Sequence, residues 1–369
     1  TSAVLIFSTA FYTDVFASED SIYDRIWDLP VLYDNPENTV VQSFSLVGRY
    51  HGQYWRVNAD QGDASGWENR RKIFGFNSKL FSSLTLEAQM YLQTNGGSLY
   101  GGLYVGFIQW KPTGTDISLS VGRLDYLFTG YERSKSSKRI NTIERGLLVN
   151  QIMPAEVVGA HLRGKNGRFS YHAGIFSRSI EEEFDDFDSG SAEVIGAAWD
   201  TGLWFDEGTL HFDYLHNSGK EEGSAFRPYR HVASLWHSGE SGRLGLSMDI
   251  TFAEPLETNA QVWGVTIEPS WMLSNRVFSG NDALQLVLRY QYANSSDLNG
   301  LQLQRRYEQK VTEGAGDRYQ AVYTGLSYFL YGHKLKLMLG TEYASMQDKA
   351  DDGGEYHGWS WFGALRLYF

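Results

Sequence analysis

The strongest constraint on this chain is an alternation of apolar and polar residues that runs from about residue 40 to residue 369. Between Leu84 and Leu92, for example, Leu, Leu, Ala, Met and Leu alternate with Thr, Glu, Gln and Tyr. A period of two is typical of β-strands that have one apolar and one polar face. The pattern predicts sixteen strands, at 40–57, 67–80, 83–94, 102–112, 116–126, 157–164, 168–178, 192–205, 208–217, 229–238, 242–253, 260–273, 283–294, 318–331, 334–346 and 357–369.

The connections between these strands alternate in length. Most links after even-numbered strands are short, as at 165–167, where Asn-Gly favours a hairpin. Links after odd-numbered strands tend to be longer, and 127–156 is the longest; 274–282 is a moderately long exception. Transmembrane β-barrels have short turns at one end and long loops at the other. A soluble β-sandwich or β-helix, the alternative, would not normally sort its loops in this way.

We therefore predict an all-β fold, a transmembrane antiparallel β-barrel of about sixteen strands. Lipid offers no hydrogen-bond partners to the backbone, so strands can cross it only as a closed barrel. A barrel of this size leaves a water-filled interior. The polar face of each strand would then line the interior, and the apolar face would meet lipid.

Composition excludes several other classes of protein. The 369 residues include no cysteine, which excludes disulfide scaffolds, cysteine-ligated metal sites and thiol nucleophiles. The net charge of −12 argues against nucleic-acid binding through a broad basic surface. No run of about 20 apolar residues indicates a transmembrane helix. No hydrolase, metalloprotease or nucleotide-binding motif is present, so we predict no enzymatic activity, no cofactor and no metal.

The N-terminal region divides into two predicted parts. Residues 1–17 are mostly apolar and end at Ala17, which is typical of a secretory signal; a retained apolar segment is the alternative. Residues 18–38 are predicted to form a periplasmic leader, with a short helix carrying Ile22 and Ile26 and ending before Pro30. The barrel is predicted to span 39–369.

Three sequence runs resemble the phosphate-selective porin O and P family. They are residues 68–76 (ENRRKIFGF), 121–130 (VGRLDYLFTG) and 132–145 (ERSKSSKRINTIER). The final alternating strand also ends at Phe369, which is similar to the C-terminal signature of bacterial outer-membrane proteins. The resemblance implies a sixteen-stranded porin that assembles as a homotrimer. It also implies insertion by the barrel-assembly machinery through the C-terminal strand.

The resemblance also implies where solutes are selected. In sixteen-stranded porins the third external loop, here 127–156, folds inward and narrows the channel. Residues 131–145 carry five basic and two acidic side chains, a net charge of +3. Such a cluster at a constriction concentrates anions, and arginine matches phosphate oxygens in a bidentate geometry. The alternative is a solvated basic loop, or one that binds lipopolysaccharide phosphates. The candidate loop residues are Arg133, Lys135, Ser136, Lys138, Arg139 and Arg145, of which Arg133, Ser136 and Arg145 match positions lining the anion site of the family.

Four strand residues complete the predicted ion pathway. Arg70 and Arg71 match paired arginines of the family, but neighbours on a regular strand point to opposite faces. Both can therefore face the pore only at a loop or bulge. Arg49 and Arg163 lie on polar strand faces and are predicted to project into the interior, where simple wetting of a wide lumen is the alternative.

The predicted function is passive diffusion of small hydrophilic solutes through the bacterial outer membrane, with a preference for anions. Phosphate is a candidate solute, but Tyr100-Gly101-Gly102 replaces an acidic pair expected from the family, and the second half lacks a lysine-rich run. These departures favour general anion diffusion. The alternative is a structural or adhesive barrel with a blocked lumen. Predicted partners are other copies of the chain, outer-membrane lipid, lipopolysaccharide and small anions. The segments 18–38, 181–188 and 348–355 together carry a net charge of −14, and the rest of the chain carries +2.

Overall fold

A closed antiparallel barrel of sixteen strands dominates the computed structural model. The structure describes residues 21–93, 97–178, 183–184, 187, 190–202, 205–219, 226–278 and 282–369. The prediction for residues 1–17 lies outside these ranges, as does most of the acidic stretch 181–188. Each barrel strand pairs with its neighbours in chain order, and the last strand pairs with the first, which closes the sheet. The predicted fold class is therefore confirmed.

The barrel strands are interrupted by one two-stranded element, β15 Leu301–Gln302 paired with β16 Ala315–Gly316, which lies in a loop. The barrel itself consists of β2 Val41–Ala59, β3 Gly62–Leu80, β4 Leu84–Leu92, β5 Tyr100–Trp110, β6 Ser118–Asp125, β7 Glu156–Asn166, β8 Phe169–Ser177, β9 Ser191–Asp200, β10 Glu207–Asn217, β11 Tyr229–Ser241, β12 Leu244–Pro255, β13 Val262–Ser274, β14 Ala283–Ser295, β17 Arg318–Tyr331, β18 Leu335–Gln347 and β19 Tyr356–Tyr368.

The two faces of the barrel wall have opposite character. On β17, Tyr319, Ala321 and Tyr323 are at most 2% exposed and face inward, whereas Val322 and Leu326 on the other face are exposed. This follows from the period of two, since successive side chains of a strand point to opposite faces. An exposed apolar outer face is the surface that a bilayer covers. No helix among the described residues is long and apolar enough to cross a membrane.

One predicted loop does not exist. Residues 58–66 were predicted to separate the first two strands, but β2 and β3 extend to a tight turn at Asp60 and Gln61. Asn58 and Asp63 pair across this extended hairpin. Where a hairpin projects beyond the membrane, both of its faces contact water. Apolar and polar residues then no longer need to alternate, although the two strands remain paired through backbone hydrogen bonds. The alternation therefore reports the membrane-spanning part of a strand rather than its full length.

The leader contains a short helix, α1 Ile22–Asp28, in the region where the sequence predicts one. Ser21 caps its N-terminus and Asp24 completes a capping box. The chain then forms β1 Val31–Asp34, which pairs with residues 43–45 of β2. Since β19 pairs with β2 only from Arg49 to Ala59, β1 covers the edge that the last strand leaves open. The sequence did not predict this strand.

The leader is attached to the end of the barrel by aromatic residues. The indole N–H of Trp27 donates to the carbonyl of Tyr368 at 2.7 Å, and the ring of Tyr23 stacks on Tyr331 with centroids 5.4 Å apart. We expect Trp27→Phe to lower the free energy of unfolding by about 1 kcal/mol, because it removes the hydrogen bond but keeps a ring. Heat-induced unfolding in detergent measures this. Single-channel conductance should stay unchanged; an altered conductance would show that the leader reaches the channel.

Candidate channel constriction

The connection between β6 and β7, residues 126–155, lies inside the barrel; we call it the L3 segment. The carbonyl of Ile140 accepts a hydrogen bond from Lys336 on β18 at 2.8 Å. The carbonyl of Ile143 accepts one from Arg366 on β19 at 2.9 Å. These strands lie far around the closed sheet from β6 and β7. A segment that bonds to them must therefore cross the interior. It includes two short helices, α2 Tyr131–Ser134 and α3 Leu147–Ile152.

Arg289 on β14 is the main attachment of the L3 segment to the wall. Its guanidinium is 1% exposed and pairs with Glu132 of the segment and, at 2.9 Å, with Glu342 on β18. The same group donates to the hydroxyl of Thr142 at 3.2 Å and to the carbonyl of Glu144 at 2.8 Å. One buried arginine thus joins two carboxylates and two further acceptors, which fixes the position of the segment.

A second connection, residues 296–317, also packs into the barrel; we call it the L7 segment. Leu301, Tyr307 and Glu308 within it are at most 1% exposed. The hydroxyl of Tyr307 donates to Glu342 at 3.0 Å, so L7 shares a carboxylate with the Arg289 attachment. Burial and the nearby Glu342 raise the pKa of Glu308 to about 8. The sequence predicted only the L3 loop to enter the pore, so that prediction was incomplete.

The two segments bond directly to each other. The side chain of Asn150 on α3 donates to Gln304 of L7 at 3.0 Å. The side chain of Gln151, at the end of the same helix, donates to the carbonyl of Gly300 at 2.7 Å and to the hydroxyl of Tyr229 at 2.8 Å. L7 therefore rests on α3, and the two segments form one structure within the barrel.

A cavity of about 1080 Å³ lies against the L3 and L7 segments. Its charged lining contains eight basic and four acidic side chains, a net charge of +4. The basic residues come from four parts of the chain that are distant in sequence, so their convergence depends on the fold. They are Arg70, Arg71, Arg133, Arg145, Arg227, Arg305, Arg306 and Lys310, against Glu68, Glu156, Glu257 and Asp297.

The paired arginines of β3 both reach this cavity because the strand bulges between them. His51 of β2 pairs with Arg71, and the next residue, Gly52, pairs with Asn69, so Arg70 is the extra residue. A bulge of this kind was the condition under which the sequence allowed both Arg70 and Arg71 to face the interior. Arg70 bonds to Glu144 of the L3 segment at 3.0 Å. Arg71 has no hydrogen-bond partner among the described residues, so its donors are available to a solute.

Arg133 and Arg145 line the cavity but are committed to holding the L3 segment. Arg133 pairs with Asp125 at 2.9 Å and donates to the carbonyls of Pro154 and Ala155 at 2.7 and 2.6 Å. Arg145 donates to the carbonyl of Glu132 at 2.9 Å, and burial lowers the pKa of Arg145 to about 10. Both contribute positive potential, but their donors are largely occupied.

Lys135, Ser136 and Lys138 of the L3 segment do not line the cavity. Lys135 donates to the hydroxyl of Tyr131. Lys138 lies 4.9 Å from the ring centroid of Tyr368, near the end of β19, and burial lowers the pKa of Lys138 to about 8. The carbonyl of Ser136 accepts a hydrogen bond from the backbone N–H of Arg139 at 2.8 Å, and its hydroxyl accepts only a long one, 3.5 Å, from the N–H of Lys138.

Arg139, Arg49 and Arg163 also lie outside the cavity. The side chain of Arg139 lies near that of Tyr368. Arg49 projects inward and donates to Ser137 of the L3 segment at 2.6 Å. Arg163 lies with its guanidinium carbon 5.1 Å from the ring centroid of Phe128. These side chains face the interior but do not line the cavity, although Arg49 lies near Arg71.

The sequence missed the four basic residues that loops of the second half bring to the cavity. Arg227 and Arg305 lie near each other, and burial together with this neighbour lowers the pKa of Arg227. Arg306 pairs with Glu68 on β3. These arginines are scattered through polar loops, so no spacing in the sequence relates them. Within the part of the chain described here, no group of three His, Asp or Glu side chains is placed to hold a metal ion.

The model of the family described as phosphate-selective porin O and P matches residues 44–200. This stretch includes the three runs on which the resemblance rests, together with both arginines of the β3 bulge and the L3 segment. The family recognition is therefore confirmed. No curated protein sequence matches the chain.

Solved outer-membrane channels share the fold at low sequence identity. An anion-selective porin from Comamonas acidovorans is 12% identical, with a TM-score of 0.61, over 89% of this chain and 99% of that one. OmpF of Salmonella typhi, in complex with daunomycin, is 11% identical with a TM-score of 0.61, over 92% and 100%. The channel DcaP of Acinetobacter baumannii is 8% identical with a TM-score of 0.58, over 88% and 97%. The chain is therefore a β-barrel protein of the bacterial outer membrane with the fold of porins, and its residues 44–200 match the phosphate-selective porin O and P family.

Proposed function

We propose that the protein is a passive diffusion channel with a preference for anions, whose constriction is formed by the L3 and L7 segments together. The observation that carries this proposal is the convergence of eight basic side chains around one cavity above the L3 segment. Like the family, the channel would perform no covalent chemistry. Its side chains lower the electrostatic barrier to solutes that cross the membrane.

The charge distribution supports a preference for anions. Fixed positive charges in a narrow passage with low-dielectric walls raise the local concentration of anions. Among the basic side chains, Arg71 can contact a solute because its guanidinium makes no hydrogen bond to the described residues. Three arginines, Arg70, Arg145 and Arg49, lie near it, together with the carboxylate of Glu144. The carboxylates that line the cavity are outnumbered two to one. An anion that passes through the cavity therefore meets a surface whose positive charge is only partly neutralised by the acidic side chains of the lining.

Selectivity is measured from the reversal potential across a KCl gradient in a planar bilayer. A channel of this kind should favour chloride over potassium. The competing function is a structural or adhesive barrel, and the observation that favours it is the amount of interior filled by the L3 and L7 segments. Such a barrel would give no stable single-channel openings at all, so the same recording separates the two functions.

The proposed partners follow from the family and the outer face of the barrel. We propose a homotrimer embedded in outer-membrane lipid, with lipopolysaccharide around its outer rim. Insertion would use the strand β19; Phe369, which follows β19, pairs with Gly48 through two backbone hydrogen bonds of 3.1 Å. Chemical cross-linking in native membranes tests the trimer. A single monomeric species at every cross-linker concentration would contradict it.

The preference for anions should fall as the pH rises through about 8. Burial lowers the pKa of Lys138 to about 8, with Arg49 and Arg139 nearby, and burial beside Glu342 raises that of Glu308 to about 8. Above this pH Lys138 loses its positive charge and Glu308 gains a negative one, so both changes make the interior less positive. Reversal potentials between pH 6 and 10 measure the effect. The double variant Lys138→Met with Glu308→Gln should lose most of the change between pH 7 and 9; an unchanged profile would contradict the assignment.

A further inference from the structure

The cavity against the L3 and L7 segments has an apolar wall beside its charged residues, which passage of small inorganic ions alone does not require. At about 1080 Å³ it has the size of a pocket for an organic ligand, which is typically 300–1,000 Å³. The charged side chains occupy only part of its lining. Apolar side chains make up much of the rest, namely Trp55, Leu147, Val149, Met153, Leu256 and Leu303.

The apolar and basic parts of the lining lie next to each other. Arg145 lies two residues before the start of the helix α3, and α3 contributes Leu147 and Val149 to the cavity. Val149 is only partly buried, so its side chain remains accessible to a solute. Leu303 of L7 adjoins Gln304, which bonds to Asn150 of the same helix. The helix therefore places an apolar surface directly beside the arginine cluster.

The basic part retains donors for a ligand. Arg70, Arg133, Arg145 and Arg306 each bond to groups of the protein, but Arg71 has no such partner among the described residues. A free guanidinium binds a carboxylate or phosphate in a bidentate geometry. Nearby apolar surface adds affinity in proportion to the apolar area that a ligand covers.

From this arrangement we infer that the cavity is a binding site for organic anions that carry an apolar body about the size of an aromatic ring. Arg71 binds the anionic group, and Val149 with Trp55 contacts the apolar body. This inference rests on the proposed anion channel and specifies its substrate class. A small inorganic anion would use the arginine and leave the apolar wall in contact with water.

Block of the chloride current by added anions tests the inference in planar bilayers containing the full chain. Acetate, benzoate and inorganic phosphate serve as probes at matched ionic strength and pH. Benzoate should block at a concentration at least tenfold lower than acetate or phosphate, because its ring covers apolar surface that the other two cannot reach. Equal blocking concentrations for benzoate and acetate would overturn the inference.

Two variants separate the apolar contact from the ionic one. Val149→Ser should weaken block by benzoate about threefold or more and leave block by acetate unchanged, whereas Arg71→Gln should weaken both. If Val149→Ser weakens both anions equally, the apolar wall is not a contact surface and the inference fails. The reversal potential of the unmodified channel is recorded in the same experiment. Chloride preference without benzoate preference would refute only this inference, whereas absence of chloride preference would refute the proposed function itself.

Discussion

Replacing Arg289 with methionine is expected to release the L3 segment and to raise the single-channel conductance at least twofold, with larger current noise. The substitution leaves Glu132 and Glu342 buried without their cation. Removing one partner of a buried ion pair typically costs about 3–5 kcal/mol. The L3 segment can avoid that cost by moving away from the wall, since it is a connection and not a strand. Ion selectivity should fall with the same change, because the basic residues of the segment would leave their positions.

A matched variant and a compensated one keep this prediction testable. Arg163→Met removes another interior arginine, but one that does not bond to the L3 segment through an ion pair. Its guanidinium donates to His161 and lies over the ring of Phe128, so conductance should change little. If Arg289→Met fails to fold, the triple variant with Glu132→Gln and Glu342→Gln removes the two carboxylates that lost their cation and should restore the barrel. The released, noisy conductance should persist in that triple variant. A conductance equal to that of the unmodified channel would show that Arg289 does not position the segment.

Arg71→Glu should reverse the ion preference of the channel from anions to cations. The guanidinium of Arg71 faces the cavity without a hydrogen bond to the described residues, so the substitution changes the charge that a solute meets by two units. The new carboxylate would lie near Glu144, so some thermal stability should be lost although the pair between Arg70 and Glu144 remains. The reversal potential in a KCl gradient should change sign. Lys72→Glu provides a control of equal charge change at the next position on the strand, which lies on the opposite face, and should leave the sign unchanged.

Arg133→Ala should show the opposite balance of effects. Its guanidinium forms an ion pair with Asp125 and hydrogen bonds to two carbonyls of the L3 segment. Removing it therefore leaves the carboxylate without its cation and the two carbonyls without their donor. We expect a marked loss of thermal stability together with a fall in selectivity. An alanine variant with full stability would show that Arg133 acts only as a source of potential, as the sequence alone suggested.

Most of the barrel could be predicted from the sequence because the bilayer imposes the same requirement on every strand. Each membrane-spanning strand must present apolar residues outward and polar residues inward, and that requirement is visible locally as a period of two. The sequence did not predict the extension of β2 and β3 to Asp60 and Gln61, because this part of the hairpin does not have to place apolar residues against lipid. The strand β1 was missed because four residues are too few to show a period.

The interior of the barrel was harder to predict, because its contacts join residues distant in sequence. The L3 loop was found through its length, its charge and its resemblance to a known family. L7 carried no comparable signal, since its attachment depends on Tyr307 meeting Glu342 from another strand. The bulge that admits both Arg70 and Arg71 to the cavity could be stated as a requirement, but its existence depends on the register between β2 and β3.

The most direct test of the central claim is the reversal potential of single channels of the unmodified protein across a KCl gradient at pH 7. A convergent set of arginines and one lysine with excess positive charge predicts a potential displaced toward the equilibrium potential of chloride. A potential displaced toward that of potassium would contradict the claim that these arginines set the selectivity.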